Sequence, residues 1–230
     1  MLDRLAPSAG ERILDIGSGT GRLASEITAR APSAHVVGID RSWSMLSESR
    51  RQFPTLAVVR AEAARIPFIV GFDAVCSTAT FHWIPDHTTL FAEVHRVLVP
   101  GGRLVAQAGG GPNLARLHDR AAKLAQSEYA SAFAGWQDPW TFAGVEVTRA
   151  RLRSAGFANC EVWLEEALTT FNSADDFSEF VSTVCLRHHL ERLEGADRAG
   201  FVRGLAAQAS TDDPPFTLDY WRLNIDARKG

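Results

Sequence analysis

The sequence predicts an α/β fold built on a doubly wound, mostly parallel sheet, and three observations predict it. Through the first half of the chain, short apolar β-branched runs alternate with stretches of helical period, the pattern of strand, crossover helix, strand. A glycine-rich loop follows the first such run directly and opens the first helical stretch. The 230 residues, 46% hydrophobic and 22% charged, supply one core of full size, which excludes a disordered tail or a small stapled scaffold.

The strand expectations are residues 12–16, 35–40, 56–60, 72–77 and 103–107. Between them Leu23, Ala24, Ile27 and Ala31 form one helical stripe, and Leu90, Phe91, Val94, Val97 and Leu98 another. Pro100, Gly101 and Gly102 then stop that helix and turn the chain into the fifth strand. From Gly109 onward the chain becomes mostly helical and aromatic, read as a cover inserted into a single domain, residues 1–230, with cover segments at about 109–145 and 166–216. A helix over 146–155 ends at Gly156, residues 160–164 resume strand character, and 221–227 alternate as a half-buried terminal strand, which makes seven strands. Ser173 with Asp176 forms a capping box ahead of Phe177, Phe180, Val181 and Val184 on one helix face. On that spacing His188 falls on the apolar stripe and His189 does not.

A formal net charge of −3 with acids and bases interspersed gives no footprint for nucleic acid or an anionic membrane surface. Cys76, Cys160 and Cys185 are widely separated, so neither a disulfide framework nor a metal site is expected, and a reducing, cytoplasmic setting fits best. No apolar run approaches the roughly 18 residues of a membrane span, and the first residues lack the apolar core of a signal peptide.

The chemistry concentrates in residues 14–21, LDIGSGTG. Gly17, Gly19 and Gly21 let the backbone turn tightly and approach a ligand, and the next helix offers free N–H groups. The dinucleotide fingerprint wants its third glycine at position 22, which is Arg22. Asp15, two residues before the first glycine, repels pyrophosphate and attracts an ammonium group.

Residues 15–21 resemble the first motif of class I methyltransferases dependent on S-adenosylmethionine (SAM). Asp40, ending the second strand in VGIDRSWSML, is suited to accept both ribose hydroxyls. Glu62 and Ala63, in AEAARIPF, match the family's acidic-plus-alanine pair beside the adenine, with Glu where Asp is more usual. FDAVCSTATFHWIPD and LFAEVHRVLVPGGRL match the fourth-strand motif and the helix and turn after it. The resemblance implies a Rossmann-like sheet, SAM as cofactor, and cofactor contacts from Asp15, Gly17, Ser18, Gly19, Gly21, Asp40, Glu62, Ala63 and Ser77, with Arg41 and Met45 on either side of the adenine. Within the family, HWIPDH, QAGGGPN, DPWTF and AGF resemble the trans-aconitate methyltransferase-like group of small-molecule enzymes. Thr78 departs from the Asn common in relatives, and the chain starts shortly before its first strand where relatives carry helices that help close the site.

Each residue has a plainer competitor. Asp15 could cap the loop, Asp40 the helix near Ser42, Met45 could be core and Glu62 solvated surface. His82 and Trp83 follow the fourth strand, where open α/β sheets bind ligands, although Trp83 could be a core aromatic and His82 a surface residue. Trp136, Trp140 and Phe142 cluster in the cover and, with Trp83 and His188, are the expected acceptor-binding set, against a plain packing role. The expected reaction is methyl transfer to a small molecule, foremost O-methylation of a small organic acid, with no nucleic-acid or membrane partner. Holding two reactants in line supplies about 7–11 kcal/mol, and a general base typically about a hundred- to ten-thousand-fold. Positioning is the larger effect, and an ionised carboxylate needs no base; His82 is nominated as base for a protonated acceptor. The competing classes are an NAD-dependent oxidoreductase and a catalytically silent SAM-binding or partner protein.

Overall fold

The computed structural model describes residues 1–230. The strands are β1 (Arg12–Ile16), β2 (His35–Asp40), β3 (Ala57–Arg60), β4 (Phe72–Thr78), β5 (Leu98–Gly109), β6 (Phe157–Glu166), β7 (Thr169–Thr170), β8 (Thr217–Leu218) and β9 (Trp221–Lys229). The helices are α1 (Leu2–Leu5), α2 (Arg22–Arg30), α3 (Trp43–Gln52), α4 (His87–Val97), α5 (Ala115–Gln126), α6 (Val145–Ser154), α7 (Ala174–Phe180), α8 (Arg187–Leu190) and α9 (Gly195–Ala209). They fall into two compact units: Met1–Gly111 with Trp140–Glu165 and Arg222–Gly230, and Pro112–Pro139 with Glu166–Trp221.

The first unit holds a seven-stranded sheet in the order β3-β2-β1-β4-β5-β9-β6. Its β1–β2, β2–β3, β1–β4 and β4–β5 pairs are parallel, and β9 runs antiparallel to β5. Alternation along β1 sorts the two faces. Leu14 and Ile16 join Phe91, Val94 and Leu152 from α4 and α6, while Ile13 joins Ala24 and Ile27 from α2. Phe91, Leu90, Val94 and Val97 are completely buried, as the stripe requires. Asp86 caps α4, one carboxylate oxygen accepting both the Thr88 and Thr89 N–H groups at 3.0 Å. One expectation changes. Pro100, Gly101 and Gly102 do not precede β5; they lie inside it, and the β4–β5 ladder slips from Phe72↔Leu98 to Ala74↔Arg103 around them.

The second unit packs α5, α7, α8 and α9 around Leu117, Leu124, Phe177, Phe201 and Leu205, with β7 and β8 paired antiparallel. Ser173 caps α7 as expected, its hydroxyl accepting the Asp176 N–H at 3.1 Å. The apolar stripe after it is corrected. Residues Val181–Cys185 form a π-helical turn, in which the Leu186 N–H donates to the Val181 carbonyl at 2.8 Å. One extra residue per turn advances the phase, so Cys185 and Leu186 go inside and Val184 turns out, 44% exposed. The same slip exchanges the histidines: His189 is buried and His188 lies nearer the surface, with Nδ1 3.2 Å from Glu191.

No helix is long and apolar enough to cross a membrane. No three His, Cys, Asp or Glu side chains converge as a metal-ligand set.

Candidate active site

The strand order reverses between β1 and β4, and the crevice beyond the carboxyl ends of those strands is where open α/β sheets take ligands. The loop after β1 is pinned to β2. Gly17 and Ser18 both donate N–H to the Ile39 carbonyl, at 2.8 and 2.9 Å, and Gly21 donates to Ser18. The three glycines have different reasons. A Cβ at Gly17 would overlap Thr80, which closes the loop from beyond β4. At Gly21, with φ +84°, it would meet Ser49 and sit 2.8 Å from Leu56. At Gly19, with φ +54°, it would meet nothing within 4 Å, so that position alone of the three faces open space.

Asp40 faces this loop from the end of β2. One carboxylate oxygen accepts the Gly19 N–H at 2.9 Å and the other the Ser42 N–H at 2.8 Å. The cap of α3 is Ser42 itself, which accepts the Met45 N–H, so the rival reading of Asp40 as the helix cap is corrected. Each Asp40 oxygen keeps a second lone pair for another donor. Asp15 lies on the α2 side of the sheet, 1% exposed, with Cys76 beside it in register. Its Oδ2 has no hydrogen-bond partner. Burial pushes the Asp15 carboxyl up to about 7; the charge of Asp40 acts the same way, and the Cys76 thiol and Ala24 N–H oppose it. Ser18, also buried, has an unpartnered hydroxyl. A buried carboxylate oxygen without a donor, open space over Gly19 and two acceptors on Asp40 suit a ligand with a cationic group and a ribose.

The remaining nominated residues separate. Met45 is 43% exposed on the first turn of α3, not core. Arg41 is exposed, its carbonyl taking Arg60 Nε at 3.1 Å. Glu62 is exposed, and Ala63 packs against the core. Ser77 is buried, its hydroxyl donating to the Ile16 carbonyl at 2.8 Å, which ties β4 to β1 and commits that side chain to the scaffold.

His82 is buried just beyond β4, and its Nδ1 accepts the Gly109 N–H at 3.0 Å. A backbone N–H only donates, so Nδ1 bears the lone pair. Burial lowers the His82 pKa to about 4, with the charge of His87 adding to it, so the ring is neutral and carries its proton on Nε2. In this geometry one nitrogen is engaged as acceptor and the other is a donor, which leaves the nominated base without a free lone pair. Trp83 and Trp140 pack at 3.7 Å between ring centroids, and Phe142 stacks on Trp140 at 5.5 Å. His82 sits 5.0 Å from Trp140 and 6.0 Å from Phe142.

Trp136, expected in one cluster with Trp140 and Phe142, belongs to the second unit, whereas Trp140 and Phe142 belong to the first. The Thr141 N–H donates to the His82 carbonyl, and Gly111 donates to Ala143, so residues 140–143 belong with the sheet end. Trp136 lies in the second unit against His189, 4.6 Å between ring centroids. Sequence reasoning missed the neighbours of that ring: His118 Nδ1 is 2.8 Å from Asp138, which also lies 3.8 Å from His189 Nε2. No local spacing announces three residues this far apart in the chain.

This loop and carboxylate at the switch point of a doubly wound sheet define an α/β protein that binds a nucleoside-bearing, cationic cofactor. Residues 14–106 match the family described as Methyltransferase domain. A trans-aconitate 2-methyltransferase of Methylobacterium nodulans is 28% identical over the whole chain and 91% of that protein. One of an Acidovorax strain is 33% identical, over 46% of this chain and 42% of its own. Among solved structures, the YcgJ protein of Bacillus subtilis superposes with a TM-score of 0.70 at 17% identity, over 100% of this chain and 96% of that one. The Haemonchus contortus phosphoethanolamine N-methyltransferase 2, solved with SAM, gives 0.63 at 21% identity over 99% of this chain, which spans about half of that protein, 51%. Over residues 14–106 the chain matches the methyltransferase domain, and it is a SAM-dependent methyltransferase with SAM as its methyl donor. These relatives set aside the oxidoreductase alternative.

Proposed function

We propose that the protein methylates a carboxylate oxygen of a small organic acid. The observation that carries this reading is the state of His82, whose Nδ1 is engaged by Gly109 and whose Nε2 bears a proton. With the nominated base unable to take a proton, the acceptor that suits the site arrives already ionised. The names of the trans-aconitate 2-methyltransferases support an acid acceptor, and the net charge of −3 argues against nucleic acid.

In this reading Asp40 takes both ribose hydroxyls on its remaining lone pairs, and Asp15 provides negative potential for the cationic end of the cofactor. Arg41 and Met45 flank the adenine, with Glu62 and Ala63 beside it. Gly17, Ser18, Gly19 and Gly21 shape the loop, and Ser77 fixes β4 against β1. SAM, when bound, supplies a methyl group whose carbon bonds to the acceptor oxygen while the C–S bond breaks and its electron pair stays on sulfur, leaving a methyl ester and S-adenosylhomocysteine with no proton transferred. Trp83, Trp140 and Phe142 exclude water, which favours a step in which opposite charges cancel. Trp136 and His188, nominated from the sequence as acceptor contacts, lie in the second unit.

The test is incubation with methyl-labelled SAM and a panel of small acids, phenols and amines beside protein and RNA extracts. Label is expected in base-labile esters of the acids; label confined to macromolecules, or to amines, sinks the reading. Glycine substitutions give a second check. Gly19→Ala should cost only about 1–2 kcal/mol of stability, the left-handed backbone penalty, yet remove cofactor binding because its methyl enters the open space. Gly21→Ala should lose more stability in urea, since Leu56 and Ser49 must also move. Equal losses of stability in the two variants would contradict this account of the loop.

A further inference from the structure

The geometry points to Arg222 as the cationic anchor of the acceptor, working beside His82 across Gly109. The inference rests on the small-acid reading and adds the residue that supplies the countercharge.

β9 runs antiparallel to β5, so its first residues lie at the sheet end where the parallel strands finish. The register sets Arg222 opposite Gly109. Gln107 and Gly109 present their backbone groups to the same side of β5: the Gln107 carbonyl accepts the Ala79 N–H beyond β4, and the Gly109 N–H goes to His82. Gly109 and Arg222 are therefore a non-hydrogen-bonded pair, the closer kind in an antiparallel ladder, with Cα atoms about 4.5 Å apart. Position 109, directly opposite Arg222, contributes no side chain to that face.

Arg222 is exposed and forms no ion pair. The other arginine considered for this role, Arg187, lies in the second unit and is paired with Glu191 at 3.0 Å. Below Arg222 on the same strand face, Asn224 is buried, accepting from Gln107 Nε2 at 2.8 Å and donating toward Glu165 at 3.3 Å. That row fixes the floor, and His82 and Arg222 flank Gly109, the first at its N–H on the β4 side and the second across the β9 ladder. An acceptor carboxylate other than the reacting one fits between them: the fork of Arg222 takes its charge, and His82 donates one further hydrogen bond. An attacking oxygen held by the same fork would be a weaker nucleophile, so the anchor serves an acid with a second carboxylate.

Steady-state kinetics of the full chain with butyrate, succinate, fumarate and aconitate would test this, with S-adenosylhomocysteine binding measured by calorimetry on every variant. Arg222→Met should raise KM for acids with more than one carboxylate about ten- to a hundredfold, with kcat and the affinity for S-adenosylhomocysteine little changed. Arg222→Lys should recover part of the loss, and Arg228→Met, at the far end of β9, should behave as wild type. His82→Gln, which keeps a donor near the Nε2 position, should retain a lower KM than His82→Asn, which keeps only the Gly109 partner. Unchanged KM for those acids in Arg222→Met, with turnover intact, overturns the assignment while leaving the small-acid reading in place. Failure of the wild type to methylate any acid, with S-adenosylhomocysteine still bound, overturns both.

Discussion

Asp40→Ala is expected to weaken binding of SAM and S-adenosylhomocysteine by about thirty- to a thousandfold, or about 2–4 kcal/mol. Two losses combine. The variant removes the charge-assisted acceptors assigned to the ribose, together worth about 1.5–3 kcal/mol. It also frees the Gly19 and Ser42 N–H groups that the carboxylate now holds at 2.9 and 2.8 Å, so the loop must be ordered by the ligand instead of by the protein. Asp40→Asn separates the two. Its amide oxygen can keep one N–H, but its NH2 group faces the other donor, so an intermediate affinity is expected and the unliganded loop should exchange its amide hydrogens faster than wild type. Calorimetry with S-adenosylhomocysteine, which needs no turnover, measures the first effect; a change below about threefold in Asp40→Ala would remove Asp40 from the ribose site.

Much of this site could be read before any coordinates because its parts are local. Strand residues 12–16 and 35–40 agree with the structure, since a run of β-branched residues followed by glycine leaves little choice of element. Asp15, Gly17, Gly19 and Asp40 then fall together because parallel neighbours in a sheet finish at the same end. What escaped depends on atoms that spacing does not encode. The protonated nitrogen of His82 is set by a glycine 27 residues later. The interchange of His188 and His189 is set by the π turn at Val181–Cys185, which no apolar pattern of period 3.6 reveals. Trp136 and Trp140, four positions apart, fall in different units, and the second belongs with the sheet end where the Thr141 N–H donates to the His82 carbonyl. Arg222 could not be chosen over Arg187 until the register placed it opposite Gly109.

Asp15→Asn is expected to stabilise the unliganded protein at pH 8 by an amount on the order of 3 kcal/mol, while weakening SAM binding. The sign follows from the shift. The Asp15 carboxyl titrates near 7 in the fold, above its ordinary value, so the native state holds more protons than the unfolded chain between about pH 4 and 7. Ionising Asp15 as pH rises through that window costs stability, and the amide never bears that charge. The histidines act in the opposite direction. His82 and His189 are both lowered to about 4 by burial, and His87 and His95 are also lowered, so each takes up a proton more readily unfolded, and stability falls as pH drops from 6.5 toward 4. With four lowered histidines against the raised Asp15 and Asp226, the unliganded protein should still lose stability on acidification, but less steeply than in Asp15→Asn, where the Asp15 contribution is gone. SAM brings ammonium and sulfonium charges that favour ionised Asp15, so its binding to wild type should weaken as pH falls below 7, and this dependence should be missing from the variant. Urea melts between pH 4.5 and 8, with and without S-adenosylhomocysteine or SAM, read all three effects; an Asp15→Asn protein less stable than wild type at pH 8 would show that the carboxylate is a cap of the α2 terminus and not a buried charge waiting for a cation.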